Sequence, residues 1–220
     1  MVRGKYIVIE GQDGTGKSTQ VERLRKRLKS NGIESIEFHE PGEADKTSQT
    51  MPNKIREIIL NKDIDRVPST NILLFSAARN ELWNRKDGAF ESLNKGIWVI
   101  ASRNWKSTIA YQGYGEGYDI SAIESTTKTL LGEDYFKPDF ECIVYLDETD
   151  RIARMTSRDD THKQDTFESK TSDFQKRVND SYFKIAEKYK TPLINGSGTM
   201  REVEDLILSQ IMKKFEINLR

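Results

Sequence analysis

One octapeptide, Gly11-Gln12-Asp13-Gly14-Thr15-Gly16-Lys17-Ser18, has the residue types and spacing needed to hold a chain of phosphates. Its glycines let the backbone curl until successive N–H groups face phosphate oxygens. Lys17 is long enough to reach β- and γ-phosphates, and the Ser18 hydroxyl is a hard oxygen ligand suited to Mg²⁺. Thr19 completes the set at the start of an expected helix, whose positive N-terminal end favours anions. The apolar run before Gly11 reads as a strand, and Val21, Leu24 and Leu28 repeat at one-face helical spacing. Strand, loop and helix in this order predict nucleoside triphosphate binding. They do not choose among a GTPase, an ATPase motor and a small-molecule kinase.

Other residues suggest a second ligand. Phe75 and Arg79 are four apart, so on a helix they share a face that offers a ring for stacking and a guanidinium for a carbonyl. Arg103 follows an expected strand end, where its planar fork suits a phosphate. Tyr111 and Gln112 lie a little further on, and an amide both donates and accepts, as a base edge requires. The variable loop positions Gln12, Asp13, Gly14 and Thr15 include no base, so the cation that compensates transferred charge is expected elsewhere. Arg154 and Arg158 are the candidates, with Lys163 nearby and Arg151 read as a surface residue.

The elements that must position these groups follow from hydrophobic pattern. Short apolar runs at 6–10, 35–38, 97–101, 142–146 and 192–195 read as strands. Helical spacing appears at 17–30, 70–83, 120–131, 150–158, 172–189 and 201–215. This alternation predicts an α/β fold: a doubly wound, mostly parallel five-stranded sheet of P-loop NTPase type, flanked by helices. Residues 1–220 read as one domain, with a polar surface loop at 43–53 and a short charged lid at about 151–171.

Bulk properties narrow the partners. Lys and Arg total 35, as do Asp and Glu, so no overall positive field exists to hold a nucleic-acid backbone. No apolar run is long enough to span a bilayer, and the N-terminal stretch reads as a strand and not a secretory signal. The single cysteine, Cys142, sits in an apolar run and reads as a packed core thiol, with a reducing cytoplasm as the expected location.

Taken together and in order, the strings resemble the thymidylate kinase family along nearly the whole chain. The carriers are the phosphate loop, Glu40-Pro41-Gly42, Leu73-Leu74-Phe75-Ser76-Ala77-Ala78-Arg79, then Arg103, Ser107 and Ala110-Tyr111-Gln112-Gly113. The resemblance implies transfer of the γ-phosphoryl of MgATP to dTMP, giving dTDP, in a homodimer. It places Phe75 under thymine, Arg79 at an exocyclic oxygen, Ser107 and Gln112 at the base, and Tyr111 against the sugar's 2′ position. Arg103 becomes the acceptor-phosphate clamp, Arg56 a second arginine near the acceptor, and Asp13 an acid facing it. Glu40 and Pro41 form the turn beside the acceptor. The lid arginines Arg154 and Arg158 resemble the branch of the family that carries its catalytic arginine there.

The chain departs from that pattern at several positions. Ser102 stands where an aspartate is usual, His39 where an arginine is common, Glu43 where glycine is expected, and Thr166 where an arginine is typical. Two alternatives therefore stay open: a related P-loop kinase for another nucleotide or a deoxynucleoside, or a nucleotide-binding homologue weakened in catalysis by Ser102.

Overall fold

The structure is a computed structural model that describes residues 2–43, 45, 47–157 and 166–219. Five strands, β1 (Tyr6–Glu10), β2 (Ser35–Phe38), β3 (Trp98–Ala101), β4 (Phe140–Tyr145) and β5 (Leu193–Asn195), form one sheet in the order β2-β3-β1-β4-β5. Every pairing is parallel, with Val8 opposite Ala101 on one side and Glu141 on the other. The central strands β1, β3 and β4 are largely buried on both faces, which is why they read as apolar runs, whereas the edge strands β2 and β5 are partly exposed.

Side-chain alternation divides the core in two. Tyr6 and Val8 point into one layer, and Ile7 and Ile9 into the other. Helices α1 (Lys17–Ser30) and α9 (Met200–Phe215) cover the second layer through Val21, Leu24, Leu28, Val203, Ile207 and Ile211. The first layer is larger and holds Trp83, Trp105, Tyr135 and Tyr182. It is closed by α3 (Pro68–Asn84), α6 (Ile120–Phe136) and α8 (Ser172–Tyr189). Gly132, at φ 78°, breaks the helical dihedrals inside α6, close to where the spacing ended the helix.

Three helical pieces escaped the sequence reading. The first is α2 (Met51–Leu60), so the last three residues of the expected 43–53 loop are helical. The second is the short α4 (Ala89–Asn94). The third is α5 (Trp105–Thr108), which runs directly into a π-helical segment, Ile109–Gly115. Helix α7 (Glu148–Thr156) leads toward the expected lid, of which Thr166 onward is described. Arg158 and Lys163 lie outside the described residues. No described helix is long and apolar enough to cross a membrane.

Candidate active site

The phosphate loop leaves the carboxyl end of β1, which has β3 on one side and β4 on the other, so it sits where strand order reverses. Gly11 adopts φ 144°, and a Cβ there would come within 2.2 Å of the Val144 carbonyl oxygen, so only glycine lets the loop pass β4. Gly16 caps α1 at φ 92°, and the Thr15 hydroxyl closes the turn by donating to the Gln12 carbonyl at 2.9 Å. Lys17 donates to the same carbonyl at 2.8 Å and lies 3.8 Å from Asp13. The Ser18 side chain is exposed.

A cavity opens beside the loop. All eleven residues expected around the acceptor and at the metal (Asp13, Ser18, Glu40, Pro41, Arg56, Phe75, Arg79, Arg103, Ser107, Tyr111 and Gln112) line it, and so does Lys17, expected at the donor phosphates. His39, Ser102, Thr108 and Phe167 complete the wall. A second hollow on the far side of the loop is lined by Gly14, Thr15, Gly16 and Thr19, together with Arg154 and Gly196. Gln12 belongs to neither: its amide nitrogen donates to the Gln175 carbonyl at 3.0 Å and to Gln175 Oε1 at 2.9 Å. The Gln175 amide in turn donates to the Phe167 carbonyl at 2.6 Å.

Arg103 lines the acceptor cavity and ties it to the phosphate loop. Its Nη2 donates to Asp13 Oδ1 at 2.5 Å, and its Nη1 donates to the Gly11 carbonyl at 3.0 Å and to Ser107 Oγ at 2.8 Å. Its φ of 132° is unusual for a side-chain-bearing residue and costs on the order of 1–3 kcal/mol, which the contacts around it offset. Tyr111 donates its hydroxyl proton to the second Asp13 oxygen at 2.7 Å. Burial alone would raise the Asp13 carboxyl, but Arg103 and then Lys17 outweigh it and hold the group well below the usual carboxylate range. Beneath this pair the buried Glu10 accepts from the backbone N–H groups of Gly11, Asn104 and Ser107 and from the Ser107 hydroxyl. Nothing in the spacing marked Glu10 as this anchor, although it immediately precedes the loop.

Phe75 and Arg79 share a face of α3 as the spacing required, with the guanidinium 5.4 Å from the ring centroid. Arg79 is only 2% exposed. Its Nε donates to Glu40 at 2.5 Å, Nη1 to the Thr108 hydroxyl at 2.7 Å, and Nη2 to the Asn104 carbonyl at 3.0 Å. Burial works against its charge, but Glu40 more than offsets this and keeps it protonated. Tyr135 donates to the other Glu40 oxygen at 2.6 Å. Phe167 lies against both Phe75 and Tyr111, with ring centroids 5.8 and 5.7 Å apart.

Gln112, in the π-helical segment, is fully buried, and neither its Oε1 nor its Nε2 has a hydrogen-bond partner among the described residues. A buried amide in that condition costs about 1–3 kcal/mol. It lines the cavity that also holds Phe75 and Arg79.

Arg151 departs from its expected surface position. It is 5% exposed, pairs with Glu148 at 2.7 Å, and packs its stem over Gly14. Arg154 donates to the Gly196 carbonyl at 2.8 Å beside the second hollow. No group of three His, Cys, Asp or Glu side chains among the described residues is arranged to hold a metal unaided. Mg²⁺ needs only one or two protein oxygens when phosphates supply the rest, so the exposed Ser18 hydroxyl fits it.

The chain is similar to known proteins along most of its length. A family model described as thymidylate kinase matches residues 9–207. Thymidylate kinase of Carboxydothermus hydrogenoformans is 32% identical over 206 residues, covering 92% of this chain and 94% of that protein. That of Ruthia magnifica is 34% identical over 210 residues, covering 94% and 97%. The crystal structure of thymidylate kinase from Ehrlichia chaffeensis superimposes with a TM-score of 0.69 at 25% identity, covering 96% of this chain and 99% of that one.

Proposed function

This chain belongs to the thymidylate kinase family, and on that premise we propose how its residues transfer the γ-phosphoryl of MgATP to dTMP. It is an ATP-dependent nucleoside monophosphate kinase. The observation that carries the acceptor assignment is Gln112: a buried amide with a donor and an acceptor both unmatched by described protein groups, in the cavity lined by Phe75 and Arg79. A pyrimidine edge matches such an amide, and Phe75 supplies a face for stacking. Arg79, fixed by Glu40, Thr108 and Asn104, offers its guanidinium edge to an exocyclic oxygen. Ser107 stands beside the base, and Tyr111 crowds the sugar and favours deoxyribose.

The donor triphosphate lies along residues 11–19, held by backbone N–H groups, the α1 dipole and Lys17. Arg103 and Arg56 hold the acceptor phosphate, and Asp13 fixes Arg103. An acceptor phosphate oxygen attacks the γ-phosphorus in line, the bond to the β-bridging oxygen breaks, and ADP leaves with that electron pair. Arg154 and Arg158 balance the charge that develops on the transferred group. Ser18 would hold Mg²⁺, which, when bound, neutralises negative charge on the β- and γ-phosphates. The segment at 151–171 excludes water from the reacting centre.

We read residues 1–220 as a single kinase domain that acts in the cytoplasm, a setting that fits nucleotide substrates and a buried, unpaired Cys142. A homodimer is supported by the outer face of α3: Leu73 is 62% exposed, Ala77 follows one turn later, and Ile58 of α2 and Leu130 of α6 are exposed on the helices packed beside it. Sedimentation of the purified chain at about twice the monomer mass supports this; a monomer at assay concentration contradicts it. A coupled assay with ATP across dTMP, dUMP, dCMP and thymidine tests the acceptor. Turnover should be greatest with dTMP, and turnover of another acceptor with none of dTMP overturns the assignment.

A further inference from the structure

Resting on the acceptor reading above, we propose that His39 is a positioning residue: its imidazole nitrogen orients the Arg56 guanidinium toward the acceptor phosphate. His39 and Arg56 both line the acceptor cavity, one following β2 and the other on α2. Arg56 Nη1 lies 3.3 Å from His39 Nε2 and donates to the Pro41 carbonyl at 2.6 Å. The two hydrogens on that one nitrogen are thus aimed at two fixed acceptors, which sets the plane of the guanidinium.

The geometry also assigns the form of the ring. A guanidinium only donates, so Nε2 must be the acceptor and the ring proton sits on Nδ1. Nδ1 lies 3.7 Å from Glu37 Oε1, and Arg25 donates to Glu37 Oε2 at 3.3 Å. Among the described residues, the charged groups shown at the ring are Glu37 from the preceding strand β2, Arg56 from α2, and Arg25 from α1 acting through Glu37. A protonated ring would set two donors and two positive charges against each other at 3.3 Å. The arrangement suits a neutral acceptor and not a second cation for phosphate. Gly42 belongs to the same device: its φ is 97°, and a Cβ there would come within 2.8 Å of Arg56 Cδ.

Three substitutions separate the two roles. His39→Leu removes the acceptor, His39→Gln keeps one in the form of an amide oxygen, and His39→Arg supplies a cation without an acceptor. Steady-state kinetics with dTMP and ATP are measured for each, and thermal unfolding confirms that each is folded. The leucine variant is expected to raise the KM for dTMP on the order of tenfold, with kcat and the KM for ATP within about twofold. Glutamine should recover most of that loss, and arginine should not. Recovery by arginine but not glutamine overturns the assignment in favour of a cationic phosphate contact, and an unchanged KM in the leucine variant overturns it outright. If the leucine variant does not fold, the glutamine and arginine variants still decide. Absence of dTMP turnover in the unaltered chain overturns the acceptor reading itself, and this assignment with it.

Discussion

Arg103 and Asp13 meet at 2.5 Å, the arginine from the turn after β3 and the aspartate from the loop after β1. Because β1 and β3 are adjacent and parallel, both turns emerge at the same sheet edge. The pair joins the phosphate loop to the residues assigned to the acceptor, and Tyr111 closes it by donating to the other carboxylate oxygen.

This pairing makes a prediction in pH. The folded Asp13 carboxyl is held below its usual range, so its contribution to stability is present above the unfolded value of about 3.9 and is lost as pH falls toward the folded one. The difference in Tm between the unaltered chain and Asp13→Asn should be steady from pH 5 to 8 and close progressively below about pH 4. A difference that vanishes between pH 5 and 8 would contradict the ion pair.

Gln112 should separate binding from stability. Its buried amide has no partner among the described residues, so Gln112→Leu removes an unmatched polar group from the protein interior. Tm is expected to hold or rise, while the KM for dTMP increases at least about tenfold. Lower stability with unchanged dTMP kinetics would make Gln112 a structural residue.

The phosphate loop and the pairing of Phe75 with Arg79 were legible from residue types and spacing, for physical reasons, whereas Glu40, Pro41, Arg56 and Ser107 were reached only through the family resemblance. Strands buried on both faces announce themselves as apolar runs, and the phosphate loop is marked by glycines whose positive φ few other residues adopt. The pairing of Phe75 with Arg79 followed from helical periodicity. Glu10 was not legible, because a buried carboxylate is explained only by its donors, and apart from the adjacent Gly11 these lie far along the chain, at Asn104, Ser107 and Tyr182. Arg151 looked like surface because its burial depends on Glu148 and on the absence of a side chain at Gly14. The segment 105–115 concealed its helical nature behind Gly113 and Gly115, both of which discourage a helix reading. Close packing explains Gly115, where a Cβ would lie 2.6 Å from the Phe174 ring.

Arg79 and Glu40 form the most deeply buried charge pair in the acceptor cavity, 2% and 1% exposed at the side chain. Arg79→Met leaves Glu40 buried without its counter-charge and should cost about 3–5 kcal/mol in denaturant unfolding. Adding Glu40→Gln should recover much of that stability while dTMP turnover stays low. Full recovery of turnover in the double variant would remove Arg79 from acceptor recognition.

Ser102 is 4% exposed and lines the acceptor cavity, where the resemblance read from the sequence leads one to expect an aspartate. A carboxylate there would add charge suited to Mg²⁺ and its waters. Ser102→Asp should therefore raise dTMP turnover or leave it unchanged. A large loss would show that the serine hydroxyl has a role of its own.

The most direct test of the account is to incubate the purified chain with ATP, Mg²⁺ and dTMP and to resolve the nucleotides by chromatography. The account predicts equimolar dTDP and ADP, with formation of dTDP abolished when Lys17 is replaced by Ala. ADP without dTDP, or no reaction while a different nucleotide or nucleoside is phosphorylated, would contradict it.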